Sequence, residues 1–275
     1  MISAFRHLDR ILRGEATSLE SIRENRFDIP VVGVSFVLTL LGMVYGACMG
    51  LFSLTASGSE ENMQILATTL KVPLLFLLTL LVTFPSLYVF NALFGSRLRL
   101  GTMLRLMIGS LAVLLAVLSS IGPIVGFFSI SSTSYSFMVI LNVVVFAAAG
   151  FLGLGFLLQT LHRLTIAQAL TTIHEPLAEP VVVPPPLPTG AEGEDVAYEA
   201  RPISAISRPD HRPVSGGVRL IFRVWMLVFG LVGAQMAWVL RPFIGSPDKP
   251  FEWFRERGGN FFESVWGQLQ RLFGA

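Results

Sequence analysis

Five long apolar runs decide what this chain can fold into. They cover roughly residues 30–54, 72–94, 104–128, 136–161 and 220–240. At 1.5 Å per residue, a helix of any of these lengths crosses a hydrocarbon core of about 30 Å. Hydrocarbon offers no partner to an exposed amide, so only helices and closed barrels can span it. The runs show none of the period-two alternation of barrel strands and are read as α-helices. Composition agrees. The chain is 53% hydrophobic and 14% charged, with mean hydropathy +0.67. A soluble domain carries about 25% charged residues, so this chain lacks the means to coat a water-facing surface. The expected fold class is all-α, a polytopic transmembrane bundle of about five spans.

The segments between the runs differ in character. Residues 1–28 form a polar arm. Within it Ile2, Phe5, Leu8, Ile11 and Leu12 recur at helical spacing among Arg6, Arg10 and Arg13, the pattern of a basic amphipathic helix. Such a helix lies on a membrane surface or packs on the bundle's own loops. Thr17 and Glu20 have capping-box spacing for a second short helix. Because almost thirty polar residues precede it, the first run is read as a retained anchor and not a cleaved signal. Residues 29–164 then hold four spans. Residues 165–218 are proline-rich: nine prolines fall within 171–217, including PVVVPPPLP, and the segment is expected to be an extended linker. Residues 219–241 make the fifth span and 242–275 an aromatic-rich tail.

Arginine placement sets the expected orientation. Arg6, Arg10, Arg13, Arg23 and Arg26 precede span one, Arg97, Arg99 and Arg105 lie between spans two and three, and His162 and Arg163 follow span four. The opposite loops carry Glu60 and Glu61, or only serines. The positive-inside rule then puts arm and linker in the cytoplasm and the tail outside, in a cell membrane. Span five is the weak point, since cations flank both of its ends.

Within lipid, helices associate through close packing and hydrogen bonds. Span one reads GMVYGACMG, which places Gly42, Gly46 and Gly50 on one face, where a second helix can approach closely, within the chain or between chains. Gly233 and Ala237 in span five, and Ala147–Gly150, Gly153 and Gly155 in span four, offer similar faces. Pro73, Pro85 and Pro123 fall inside or at the ends of spans and can kink them.

Apart from Arg105, at the very start of the third run, no Asp, Glu, Lys or Arg lies inside the first four, which argues against a proton- or ion-coupled pathway. The polar residues Asn142 and Gln235 are expected to hydrogen-bond between helices. His7, His162, His174 and His211 show no metal-ligand spacing, and no nucleophile elbow, metalloprotease motif or phosphate-cradling glycine loop occurs. The expectation is a protein that is not an enzyme and holds no metal or cofactor. The lone Cys48 is read as a small packing residue. No basic patch with interleaved aromatics suggests nucleic acid.

The tail is the most distinctive stretch. After Arg241, the turn-rich RPFIGSPDKP leads to FEWFRERG with Arg255 and Arg257. Phe261, Phe262, Val265, Trp266, Leu269, Leu272 and Phe273 then share a helix face suited to a membrane interface, a partner groove or the outer ends of the chain's own helices. Arg241, Arg255, Arg257, Phe261, Phe262 and Trp266 are the candidate lipid or partner contacts.

Residues 71–95 (KVPLLFLLTLLVTFPSLYVFNALFG) and 237–262 (AWVLRPFIGSPDKPFEWFRERGGNFF) resemble segments of a family of polytopic bacterial membrane proteins to which no activity is assigned. The chain is also similar, more weakly, to the five-span Yip family with its polar N-terminal arm, but lacks the acidic tyrosine motif of the eukaryotic members. The resemblance implies a membrane class and no mechanism. Of two functions, the first is the expected one and the second its alternative. One is a non-catalytic scaffold or interaction subunit in the bilayer, with a membrane-protein partner or a second copy of itself. The other is a channel or carrier for a neutral or lipid-like solute. A solid bundle with glycine faces favours the first, and an ordered, water-filled cavity reaching the midplane favours the second.

Overall fold

The computed structural model describes residues 2–15, 30–55, 61–93, 100–174, 216–245, 250–256 and 258–274. These form α1 (Ile2–Leu12), α2 (Val31–Gly50) with a 3₁₀ extension (Leu51–Thr55), α3 (Glu61–Leu93), α4 (Leu100–Ser131), α5 (Tyr135–His174), α6 (Gly216–Leu240) and α7 (Phe261–Phe273). Helices α2 to α6 are long and apolar enough to cross a membrane, so the chain is a five-span helical bundle in contact with lipid. Most of the linker 165–218, the proposed second arm helix and Arg257 lie outside the described residues.

Helix α2 is the hub, packed between α3 and α4. Its glycines explain how close the first contact is. A Cβ on Gly46 would stand 2.6 Å from the Thr68 carbonyl oxygen, one on Gly42 would stand 3.0 Å from Pro73, and one on Gly50 3.0 Å from Ile65. The glycine stripe is therefore consumed inside the chain, against α3. On the far side of α2, Cys48 seats over Gly122 and Gly126 of α4, as a small packing residue would. Between α4 and α5, Gly153 is the glycine that matters, with Ser110 and Leu114 at 3.0 Å from its would-be Cβ. Gly150 and Gly155 meet nothing within 4 Å. Tyr45, fully buried, donates its hydroxyl to Asn142 Oδ1 at 2.7 Å and ties α2 to α5.

Helix α1 buries Ala4, Leu8 and Ile11 against the bundle. Arg163 of α5 reaches the Gly14 carbonyl just beyond it. Helix α1 thus docks on the chain's own helices, while Phe5 and Leu12 stay exposed. Helices α4 and α5 are joined by a three-residue turn, in which Ser134 Oγ accepts the Phe137 amide and caps α5.

Helix α3 begins some ten residues before the expected second span, and its membrane-length stretch runs Asn62–Val89. Lys71 therefore lies inside a span, 2% exposed, and does not flank it. The expectation that the first four spans lack an ionisable residue is corrected accordingly. The physical reason is that Glu61–Leu70 continues the helix despite its polar residues, which are positioned to grip the chain beyond α6.

Candidate functional site

One face of α3 carries Gln64, Thr68, Lys71, Thr79 and Thr83, at spacings of three, four and eight residues that return to the same side of a helix. This stripe meets α6 and the chain beyond it, antiparallel, along most of its length. Trp225 Nε1 donates to the Thr83 carbonyl at 3.0 Å. Gly233 lies over the Thr79 side chain, 3.5 Å from its would-be Cβ. Past the end of α6, Thr68 Oγ1 and Gln64 Nε2 donate to the Phe243 carbonyl at 2.6 and 3.1 Å. Lys71 Nζ donates to the Pro242 carbonyl at 3.1 Å and to the Trp253 carbonyl, and stands 5.1 Å from the Phe254 ring centre. No carboxylate pairs with Lys71 among the described residues. Its charge is met by carbonyl dipoles and a ring face, which holds the connector against the bundle.

Because α6 is attached to α3 along one edge, it barely touches α5. Only 11% of its span is buried, against 50% of the second span. A groove of about 1300 Å³ remains between α6 and α5, floored by α3 and α4. That exceeds the roughly 300–1,000 Å³ of ordinary small-molecule pockets. It runs from Arg223 and Trp225 to Arg241, the length of the 18-residue fifth span, or about 27 Å. Phe151, Leu227 and Leu231 line it while staying 72, 70 and 54% exposed, so it opens sideways.

The polar groups in its floor are already satisfied. Thr79 bonds the Leu75 carbonyl at 2.7 Å, Ser110 that of Met107 at 2.9 Å, and Asn142 joins Tyr45 and the Met138 carbonyl. Chemically the walls are therefore apolar, and they suit hydrocarbon better than water or a polar solute.

The far end, on the side of the tail, differs. Helix α7 crosses it, packing on α5 and the end of α6. Asn260 and Glu263 form a reciprocal capping box at its start, and Ser136 donates to Gln268 at 2.8 Å to tie it to α5. Phe261, Phe262, Val265 and Gln268 line the groove. Trp266 and Phe273, 61 and 77% exposed, point elsewhere, so the seven apolar positions expected on one face divide between two. Arg241 stacks 3.6 Å over Trp238 and donates to the Glu256 carbonyl, and its Nε is buried without a partner. Burial, and then the neighbouring Arg255 charge, push the Arg241 guanidinium below its ordinary range. The Arg255 amide bonds the Arg241 carbonyl at 3.2 Å, and Trp238 Nε1 bonds the Gly259 carbonyl at 3.1 Å.

The structure thus brings Arg241, Arg255, Phe261 and Phe262 together at one end of the groove and places Ala237 on its wall. Gly42, Gly46, Gly50 and Gly233 are placed in helix packing, and Trp266 faces outward. Sequence reasoning missed Gln64, Thr68 and Lys71. The signal was present in their four- and three-residue spacing, continuing to Thr79 and Thr83, but the apolar run begins only at Val72. No family model, curated protein or solved structure matches the chain.

Proposed function

We propose that this protein holds a lipid-like amphiphile in the groove between α5 and α6 and serves as a carrier or receptor for it. The carrying observation is a side-open groove about as long as the hydrocarbon is thick, whose floor polar groups are all committed within the protein. A channel for water or ions needs unsatisfied polar groups along its path, whereas a hydrocarbon chain needs none. The proposed setting is a cell membrane, with α1 on the cytoplasmic side and α7 outside, as the arginine bias of the loops supports.

The test uses glycines that line the groove with free space above them. A Cβ on Gly150 or on Gly230 meets nothing within 4 Å, so Gly150→Trp with Gly230→Trp fills the groove without displacing backbone. Vesicles carrying a diacyl lipid with a photoactivatable chain should label peptides containing Phe151, Leu227 and Leu231 in the parent. The filled variant should lose that labelling and keep it at lipid-facing Leu81, which is 68% exposed on α3. Equal labelling of groove and Leu81 in both proteins would overturn the reading.

The scaffold reading keeps one observation, the outward aromatic face of α7 at Trp266 and Phe273. A protein partner or homo-oligomer that survives mild solubilisation and is lost with Trp266→Ala would favour it.

A further inference from the structure

We propose that the amphiphile is an anionic phospholipid, its phosphate seated among Arg241, Arg255 and Arg271 and its chains running toward Trp225. This rests on the groove reading and adds the charge of the headgroup and the direction of the lipid.

Cations converge at the α7 end of the groove. Arg241, Arg255 and Arg271 all line it, and the charges of all three act on the Tyr135 phenol at the start of α5. Arg255 also acts on Lys71 behind it. Arg255 and Arg241 repel each other, and among the described residues no carboxylate forms an ion pair with any of the three. Glu252 and Glu256 line the same end with exposed side chains, and among the described residues neither forms an ion pair with these arginines. What the arginines do bond is backbone: Arg241 the Glu256 carbonyl, and Arg255 the Pro250 carbonyl at 3.5 Å. Stacking on Trp238 fixes the plane of the Arg241 guanidinium while its Nε stays buried and unsatisfied. A guanidinium fork held in place with a free donor matches a phosphate edge better than a carbonyl dipole.

Among the described residues, the opposite end carries one groove-lining cation, Arg223, beside Trp225, 2% exposed, whose N–H is committed to Thr83. A headgroup therefore finds more cations at the α7 end, and this sets the direction in which its chains lie. The arginines are continuous with the apolar groove, so the phosphate of a lipid fits where a free phosphate would leave the groove unfilled.

The test is competition on the full chain in mild detergent, read by native mass spectrometry, with phosphatidylglycerol and phosphatidylcholine of identical chains. Chain occupancy is read separately, as quenching of groove-lining Trp225 and Trp238 by brominated chains in a Trp253→Phe, Trp266→Phe background. We expect both lipids to quench and phosphatidylglycerol to be preferred about tenfold, equivalent to about 1.4 kcal/mol. That preference should fall to near unity in Arg241→Gln with Arg255→Gln. Since Arg241 also steadies the connector, Arg271→Gln, which removes no protein hydrogen bond seen among the described residues, should lose part of the preference on its own. Quenching by both lipids without preference in the parent overturns the headgroup assignment and leaves the groove reading standing. No quenching by either overturns both. Equal displacement of phosphatidylglycerol by inorganic phosphate at matched concentration would make this a soluble-anion site and overturn the lipid assignment.

Discussion

Replacing Gly46 with alanine tests the packing of the whole bundle. The added Cβ would lie 2.6 Å from the Thr68 carbonyl oxygen and 2.9 Å from the Thr69 Cα, where ordinary contact begins at 3.4 Å. Both neighbours are backbone of α3, so no side chain can swing away. The helices must separate by several tenths of an ångström, and they do so along a contact that also includes Gly42 on Pro73 and Gly50 on Ile65. A gap of about 0.5–1 Å forfeits roughly a quarter to a half of each van der Waals contact across it. Overpacking costs about 1–3 kcal/mol in well-packed interiors, and the loss along the seam puts Gly46→Ala near the upper end, about 2–3 kcal/mol. Gly155→Ala is the matched control, since its Cβ meets nothing within 4 Å and helix propensity favours alanine by up to about 1 kcal/mol. The assay is the fraction folded in mild detergent during a thermal or SDS titration. Equal stabilities for Gly46→Ala and Gly155→Ala would refute the close α2–α3 seam.

Other expectations follow from single contacts. Tyr45→Phe strands the Asn142 amide oxygen in an apolar interior and should cost about 0.6–1.7 kcal/mol, the range for hydrogen bonds between membrane helices, in the same titration. Lys71→Met removes the donor to the Pro242 and Trp253 carbonyls, so amide exchange at 251–256 should accelerate roughly fivefold or more, for about 1–3 kcal/mol of lost local stability, while α2–α4 stay protected. Unchanged exchange there would mean that the lysine does not hold the connector. A cysteine at position 260 on a Cys48→Ser background should react with an impermeant thiol reagent in intact cells. Reaction only after the membrane is opened would reverse the proposed orientation.

How much was legible beforehand differs from feature to feature. The five spans were readable because transfer into hydrocarbon depends on local composition, and each run is long enough alone to satisfy its own backbone. The glycine face of span one was readable too, since three glycines four residues apart share a side of any helix. Its partner was not: whether that face meets α3, another span or another copy depends on packing. Lys71 was placed at a boundary because hydropathy falls there, yet the helix continues, and carbonyls from residues 242 and 253, far along the chain, make its burial tolerable. The groove was invisible for the same reason. No residue in α5 or α6 encodes it. It exists because α6 is hydrogen-bonded to α3 and leaves α5 alone, and a gap between two helices is a property of their separation. Of the arginines at its end, Arg241 and Arg255 were singled out in sequence and Arg271 was not. That Arg241, Arg255 and Arg271 surround one opening follows from α7 folding back across α5, where contacts between distant segments, and not local propensity, fix the position.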